Sequence, residues 1–218
     1  MTREEINKID NWKYEKELYS KGINYIGGVD EVGRGPLIGP VVAACCVLPL
    51  DFKLDGLTDS KKISEKKREE FYDYIVNNCL AYGIGQVGPE EIDEINIYEA
   101  SRKAMMIAID KVRKQISLEH VLVDAMPLDL DIPSTSIIKG DLKSISISAA
   151  SIIAKVTRDR MMIELDKKYP EYDFKGHKGY PTRKHYDALN KYGLIEGYRK
   201  SYKPVMKIME GEKLWNYY

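Results

Sequence analysis

Two apolar, β-rich runs, residues 24–32 and 40–49, stand on either side of a glycine-rich connection from Gly33 to Gly39, and the first run closes on two adjacent acids, Asp30 and Glu31. Short apolar runs bounded by glycine read as strands. Two like charges a few Å apart repel by about 1 to 4 kcal/mol at dielectrics between those of water and a protein surface, so a partly buried acidic pair calls for a cation or a proton. A chain built this way is committed to a sheet whose strand end must manage concentrated negative charge.

The rest of the pattern supplies the other layers. Residues 80–87 read as a third strand, and 120–124 and 135–139 as two more short ones, separated by a turn-rich stretch holding Pro127 and Pro133. Ser64 is placed to cap a charged helix running to about Asn78, with Phe71, Ile75 and Tyr74 inward. Pro89, followed by Glu90 and Glu91, opens another helix whose apolar positions run to Val112, with a break near Asn96. Residues 148–169 form a long helical pattern, and Pro181 starts one more helix. Strands alternating with helices predict a mixed α/β sheet.

Asp124 ends a short apolar run as Asp30 does, and Asp141 follows the fifth run by two residues. Carboxylates at strand ends lie where an α/β sheet forms a crevice, and hard oxygen donors suit Mg²⁺ or Mn²⁺. Four of them balance two divalent ions, a pair able to activate water and neutralise a leaving oxygen. Taken singly, each strand-end Asp reads more readily as a cap or turn residue, as Asp59, Asp129 and Asp131 do, so spacing alone leaves a two-metal phosphoryl-transfer site as one reading among several.

The formal net charge is +0, which disfavours a uniformly basic nucleic-acid binder. Its distribution is uneven: residues 1–150 hold 19 basic and 25 acidic side chains, residues 151–218 hold 15 and 9. Between Lys175 and Lys207 nine basic residues are interleaved with Tyr180, Tyr186, Tyr192, Tyr198 and Tyr202, which suits a phosphate-tracking surface and equally a solvated face with core tyrosines. The three cysteines, Cys45, Cys46 and Cys79, lack metal-site or disulfide-framework spacing and read as free thiols. No apolar run approaches the roughly 18 to 20 residues of a membrane span, and residues 1–11 are polar, unlike a signal peptide, so no membrane and a cytoplasmic location are expected.

Gly28-Val29-Asp30-Glu31-Val32-Gly33-Arg34-Gly35-Pro36-Leu37 followed by Gly39-Pro40-Val41-Val42-Ala43-Ala44 resembles the N-terminal signature of bacterial type 2 ribonuclease H. Asp59-Ser60-Lys61-Lys62, Leu122-Val123-Asp124, Lys139-Gly140-Asp141, Ser148 to Lys155, Arg158-Asp159-Arg160 and His177-Lys178-Gly179-Tyr180 follow in the order of that family's motifs, and the likeness covers residues 14–204. It implies a ribonuclease H-like mixed five-stranded sheet flanked by helices, with a helical C-terminal part. The expected organisation is an N-terminal helical extension (1–22), a catalytic core (23–170) and a substrate-binding part of the same domain (171–218).

Carried over position by position, Asp30, Glu31, Asp124 and Asp141 become catalytic ligands of two Mg²⁺ or Mn²⁺ ions. Gly33, Arg34 and Gly35 become the loop that meets the ribose, and Tyr180 the residue that completes its reading; Lys61, Ser151 and Lys155 become candidates for phosphate contact or support of the site. The implied substrates are RNA–DNA hybrids and duplex DNA with single ribonucleotides, cut 5′ of the ribonucleotide to leave 3′-hydroxyl and 5′-phosphate ends, as in ribonucleotide excision repair. A non-catalytic hybrid-binding protein is the alternative. Arg158 reads as half of a helical ion pair, and His177 and His185 as phosphate or helix contacts, with metals available for both proton-transfer tasks. A monomer is expected. Residues 211–218 faintly resemble a sliding-clamp-binding peptide without its usual glutamine, a tail that more often docks on its own domain.

Overall fold

All seven residues of β2 (Val41–Val47) are buried, which fits an interior strand covered on both faces. β1 (Ile26–Val32) pairs with it antiparallel, Asp30 opposite Ala44, and on its other side pairs parallel with β4 (His120–Asp124). β5 (Ser134–Ile137) continues parallel to β4, and β3 (Ala81–Val87) lies beyond β2, so the order is β3-β2-β1-β4-β5. These elements come from a computed structural model that describes residues 10–57 and 63–214. The mixed five-stranded sheet expected from the sequence is present.

Eight α-helices accompany the sheet among the described residues: α1 (Lys13–Tyr19), α2 (Glu65–Asn78), α3 (Pro89–Arg113), α4 (Gly140–Lys143), α5 (Ile145–Lys168), α6 (Phe174–His177), α7 (Arg183–Tyr192) and α8 (Lys203–Met209). Ser64 caps α2 through its hydroxyl, which accepts from the Lys67 N–H. Phe71 and Ile75 face the core while Tyr74 is 40% exposed, its ring meeting the edge of Phe52, so the expectation that Tyr74 points inward is corrected. Asn96 breaks α3 at φ 67°, and its side chain accepts from the N–H groups of Tyr98 and Glu99 as a new cap.

Several predicted boundaries move by two or three residues, three of them for a visible local reason. β5 stops at Ile137 because Lys139, expected to end it, takes a left-handed φ of 58° that an extended ladder does not admit. α5 begins three residues before Ser148, with the Ser144 hydroxyl accepting from the Ile147 N–H. α7 begins at Arg183 because Thr182, not Pro181, provides the cap, its hydroxyl accepting from His185 N–H.

The chain divides into two units. The first (the chain to Val32, Val42–Gln86 and Arg102–Val156) holds the sheet and its core. Glycines let helices lie directly on its strands: a Cβ at Gly85 would fall 1.9 Å from the Ala104 carbonyl oxygen, and one at Gly28 would fall 2.0 Å from the Ser146 carbonyl carbon. The second unit (Gly33–Val41, Val87–Ser101 and Thr157–Tyr218) has its own core of Leu37, Ile38, Tyr172, Phe174, Tyr186, Leu189, Tyr198 and Val205.

Candidate active site

Strand alternation puts Gly28 and Asp30 on one face of β1, the face on which the start of α5 lies. From Gly28 to Asp30 the strand rises about 7 Å, and from Ser146 to Ser151 the helix rises about 7.5 Å, so a helix anchored at Gly28 delivers Ser151 alongside Asp30. The Ser151 side chain hydrogen-bonds Asp30, and both are buried. Lys155, one helical turn further on the same face, is half-buried. Lys61 lies outside the described residues.

Asp124 closes β4, and its Oδ1 accepts from the Gly140 N–H at 2.7 Å. A Cβ at Gly140 would meet Ile147 Cδ1 at 2.6 Å and Asp124 Oδ1 at 3.2 Å, so a larger residue there would have to displace the end of the Ile147 side chain and crowd the Asp124 carboxylate. Asp141 is the next residue, and its carbonyl accepts from the Ser148 hydroxyl at 2.6 Å. The short helix carrying Asp141 is therefore tied to the end of β4 on one side and to α5 on the other. Beneath it, Glu15 of α1 is fully buried, and its Oε1 accepts from the Ser144 hydroxyl (2.6 Å) and the Ser146 N–H (3.1 Å), while its Oε2 is buried without a partner. Glu15 was not legible as a site support from the sequence, because a single acid on a short polar helix carries no distinguishing pattern.

Burial pushes the Asp30 carboxyl well above the ordinary carboxylate range, the charges of Glu31 and Asp124 push it the same way, the Ser151 hydrogen bond opposes them, and Asp141 adds a further upward push. Asp30 thus lies within electrostatic reach of the other three predicted acids. Among the described residues no three acidic, histidine or cysteine side chains close on a common point at ligand distance. The donor set is nevertheless all hard oxygen, and a buried carboxylate raised by three others is the arrangement that a divalent cation relieves. The residues fit such ions.

In the second unit the connection after β1 is held by two arginines, each fully buried. Arg158 donates Nε–H to the Pro40 carbonyl, Nη1–H to that of Lys178 and Nη2–H to that of Ile38. Arg199 donates Nη2–H to the carbonyls of Gly33 (2.6 Å) and Gly39 (2.8 Å), Nε–H to Gly39 (3.0 Å) and Nη1–H to Arg34 (3.0 Å). Burial pulls the Arg158 guanidinium down to about 10, and the nearby Arg199 charge acts in the same direction, so it remains cationic at neutral pH. Arg158 is thus a buried clamp on backbone carbonyls and not half of the helical ion pair expected from the sequence, and Arg199 was not singled out from the sequence. Gly33 has φ +95°, and a Cβ there would lie 2.4 Å from Arg158 Nε. Tyr180, 38% exposed, lies against Gly35, where an added Cβ would be 3.4 Å from its ring. The predicted group of Gly33, Arg34, Gly35 and Tyr180 is brought together.

His177 and His185 belong to the support of Tyr180. His185 Nδ1 lies 2.9 Å from the Tyr180 carbonyl and Nε2 lies 2.7 Å from the Tyr198 hydroxyl, so Nδ1 carries the proton and Nε2 accepts. His177 accepts from the Gly179 N–H through Nδ1 and donates through Nε2 to the Tyr172 carbonyl. The rings stack at 4.3 Å. Burial lowers His185 to about 4 and also lowers His177. Of the interleaved stretch, Arg199, Lys178, Tyr186 and Tyr198 are buried, so the basic and aromatic surface is smaller than the composition suggested.

The sequence matches the family model described as Ribonuclease HII over residues 27–206. Ribonuclease HII of Bacillus mycoides (strain KBAB4) is 56% identical over 198 residues, 91% of this chain and 76% of the relative. Among solved structures, the ribonuclease H2 from Pyrococcus horikoshii OT3 is 30% identical with a TM-score of 0.72, covering 85% of this chain and 97% of that one. The PCNA:RNase HII complex from Archaeoglobus fulgidus gives 25% identity and a TM-score of 0.67, covering 82% of this chain and 95% of that one. On a match that spans most of its length and takes in all four carboxylates, the chain belongs to the ribonuclease HII family of hydrolytic nucleases.

Proposed function

We propose that the protein hydrolyses the phosphodiester 5′ of ribonucleotides, in RNA–DNA hybrids and at single ribonucleotides within duplex DNA, leaving 3′-hydroxyl and 5′-phosphate ends. The observation that carries this reading is the buried Asp30 at the end of the central strand, with Glu31, Asp124 and Asp141 all acting on its charge. Asp30, Glu31, Asp124 and Asp141 would hold two Mg²⁺ or Mn²⁺ ions, which when bound acidify water and neutralise the departing 3′-oxygen. The chain's own residues orient these groups. Gly140 and Ser148 fix Asp124 and Asp141, and Ser151 holds Asp30. No side-chain nucleophile is required.

Gly33, Arg34 and Gly35 follow Glu31 within four positions of the chain and meet the ribose through backbone groups, while the Tyr180 ring stacks on the neighbouring sugar and its hydroxyl bonds the 2′-hydroxyl that DNA lacks. Lys155 supports a phosphate or the carboxylates. The role is ribonucleotide removal from DNA. A clamp contact is supported by the archaeal relative solved with PCNA; in this chain Leu214, the aliphatic anchor of the tail, is buried and its N–H donates to Asn190 Oδ1, so the tail must release it to reach such a partner. Residues 215–218 lie outside the described residues.

The test is a duplex with one embedded ribonucleotide, incubated with wild type, Asp124→Asn and Tyr180→Phe in Mg²⁺, in Mn²⁺ and in chelator. Metal-dependent cutting 5′ of the ribonucleotide, abolished in Asp124→Asn and reduced in Tyr180→Phe, is the expected result. Binding by wild type without cutting in either metal would replace the enzyme with a hybrid-binding protein.

A further inference from the structure

A trans peptide unit points its carbonyl and its N–H in opposite directions. The described residues contain no cis peptide bond. Arg199 draws the carbonyls of Gly33 and Arg34 toward itself through Nη2 and Nη1, and the Tyr202 hydroxyl both accepts from Arg199 Nη1 at 2.9 Å and donates to the Arg34 carbonyl at 2.6 Å. The N–H groups in the same two peptide units, those of Arg34 and Gly35, are thereby turned to the other side of the loop. Both residues are exposed. The Arg199 guanidinium also lies 5.2 Å over the Tyr202 ring, and its backbone N–H donates to the Leu37 carbonyl, so the pair is fixed to the same connection from both ends.

We propose that Arg199 and Tyr202 are positioning residues for ribose discrimination, holding two carbonyls back so that the N–H groups of Arg34 and Gly35 face the 2′-oxygen of the ribonucleotide. This rests on the reading that residues 33–35 meet the ribose. Two donors spaced one residue apart and fixed by a charged fork form a nest for a single oxygen acceptor. Arg199 and Tyr202 touch no substrate in this scheme and act through the loop.

The measurement is the affinity ratio between a duplex with one ribonucleotide and the same all-DNA duplex, by fluorescence anisotropy in chelator, together with kcat and KM in Mn²⁺, for Tyr202→Phe and Arg199→Lys. Tyr202→Phe removes one hydroxyl from a half-buried ring, and Arg199→Lys keeps the charge but loses the fork. Expected is a loss of ribonucleotide preference of about tenfold for each, with all-DNA affinity within twofold of wild type. A merely structural role would weaken both duplexes alike and leave their ratio untouched, which would overturn the proposal. Where Arg199→Lys fails to fold, Tyr202→Phe decides alone. Gly35→Ala separates this proposal from the reading beneath it: if it collapses the preference while Tyr202→Phe keeps it, the positioning role falls and the ribose loop stands, and if it too leaves the preference intact, both fall.

Discussion

Asp124 has two duties that one substitution can separate. Its Oδ1 holds the Gly140 N–H, a task an amide oxygen performs nearly as well, whereas a divalent ion needs the carboxylate charge. Asp124→Asn is therefore expected to unfold within about 1 kcal/mol of wild type while losing cleavage, a combination read by denaturant titration beside the nuclease assay. Gly33 is the opposite case. Its φ of +95° and the 2.4 Å approach of Arg158 Nε leave no room for a methyl group, and the strained backbone and overpacking together cost about 2 to 4 kcal/mol in Gly33→Ala. A Gly33→Ala protein with unchanged unfolding midpoint would show that the arginine clamp yields more easily than its seven hydrogen bonds to carbonyls imply.

Helices here are fixed at their ends by buried polar groups, and those groups set how stability depends on composition and pH. Glu15→Ala removes the acceptor for Ser144 and Ser146 at the start of α5 and is expected to cost about 1 to 3 kcal/mol in urea unfolding. The histidine stack gives a pH dependence of definite sign. His185 has a folded value of about 4 against an ordinary 6.5, so the unfolded chain binds the extra proton first. Its contribution is complete above pH 6.5 and is lost as pH falls toward 4, by about 3 kcal/mol in all. Thermal unfolding of wild type between pH 7 and pH 4 should fall more steeply than that of His185→Gln; parallel curves would assign the acid sensitivity to other groups.

Charge divides along the chain, and its surface share is what a duplex meets. Lys200 and Lys203 are exposed, as are Lys175, Arg183, Lys184 and Lys191. Replacing Lys200 and Lys203 by Gln is expected to weaken duplex binding irrespective of ribonucleotide content, and to flatten the plot of log affinity against log salt by about 1 to 2. Anisotropy titrations between about 50 and 200 mM salt measure this slope; an unchanged slope would move the phosphate contacts elsewhere.

The strands, their acidic ends and the mixed sheet could be read in advance because each rests on local pattern: alternation along a strand, glycine at a break, a hydroxyl before a helix. The family motifs likewise placed Asp30, Glu31, Asp124, Asp141 and the Gly33 to Gly35 loop as candidates from the linear order alone. The partners of charged and aromatic side chains were decided only in three dimensions. Arg199 reads as one more cation in a basic stretch until it is seen to reach Gly33, 166 residues away, and Tyr198 reads as a stacking surface until His185 claims its hydroxyl. A charge can be buried when carbonyls from distant segments converge on it, and such convergence leaves no trace in the spacing of neighbouring residues.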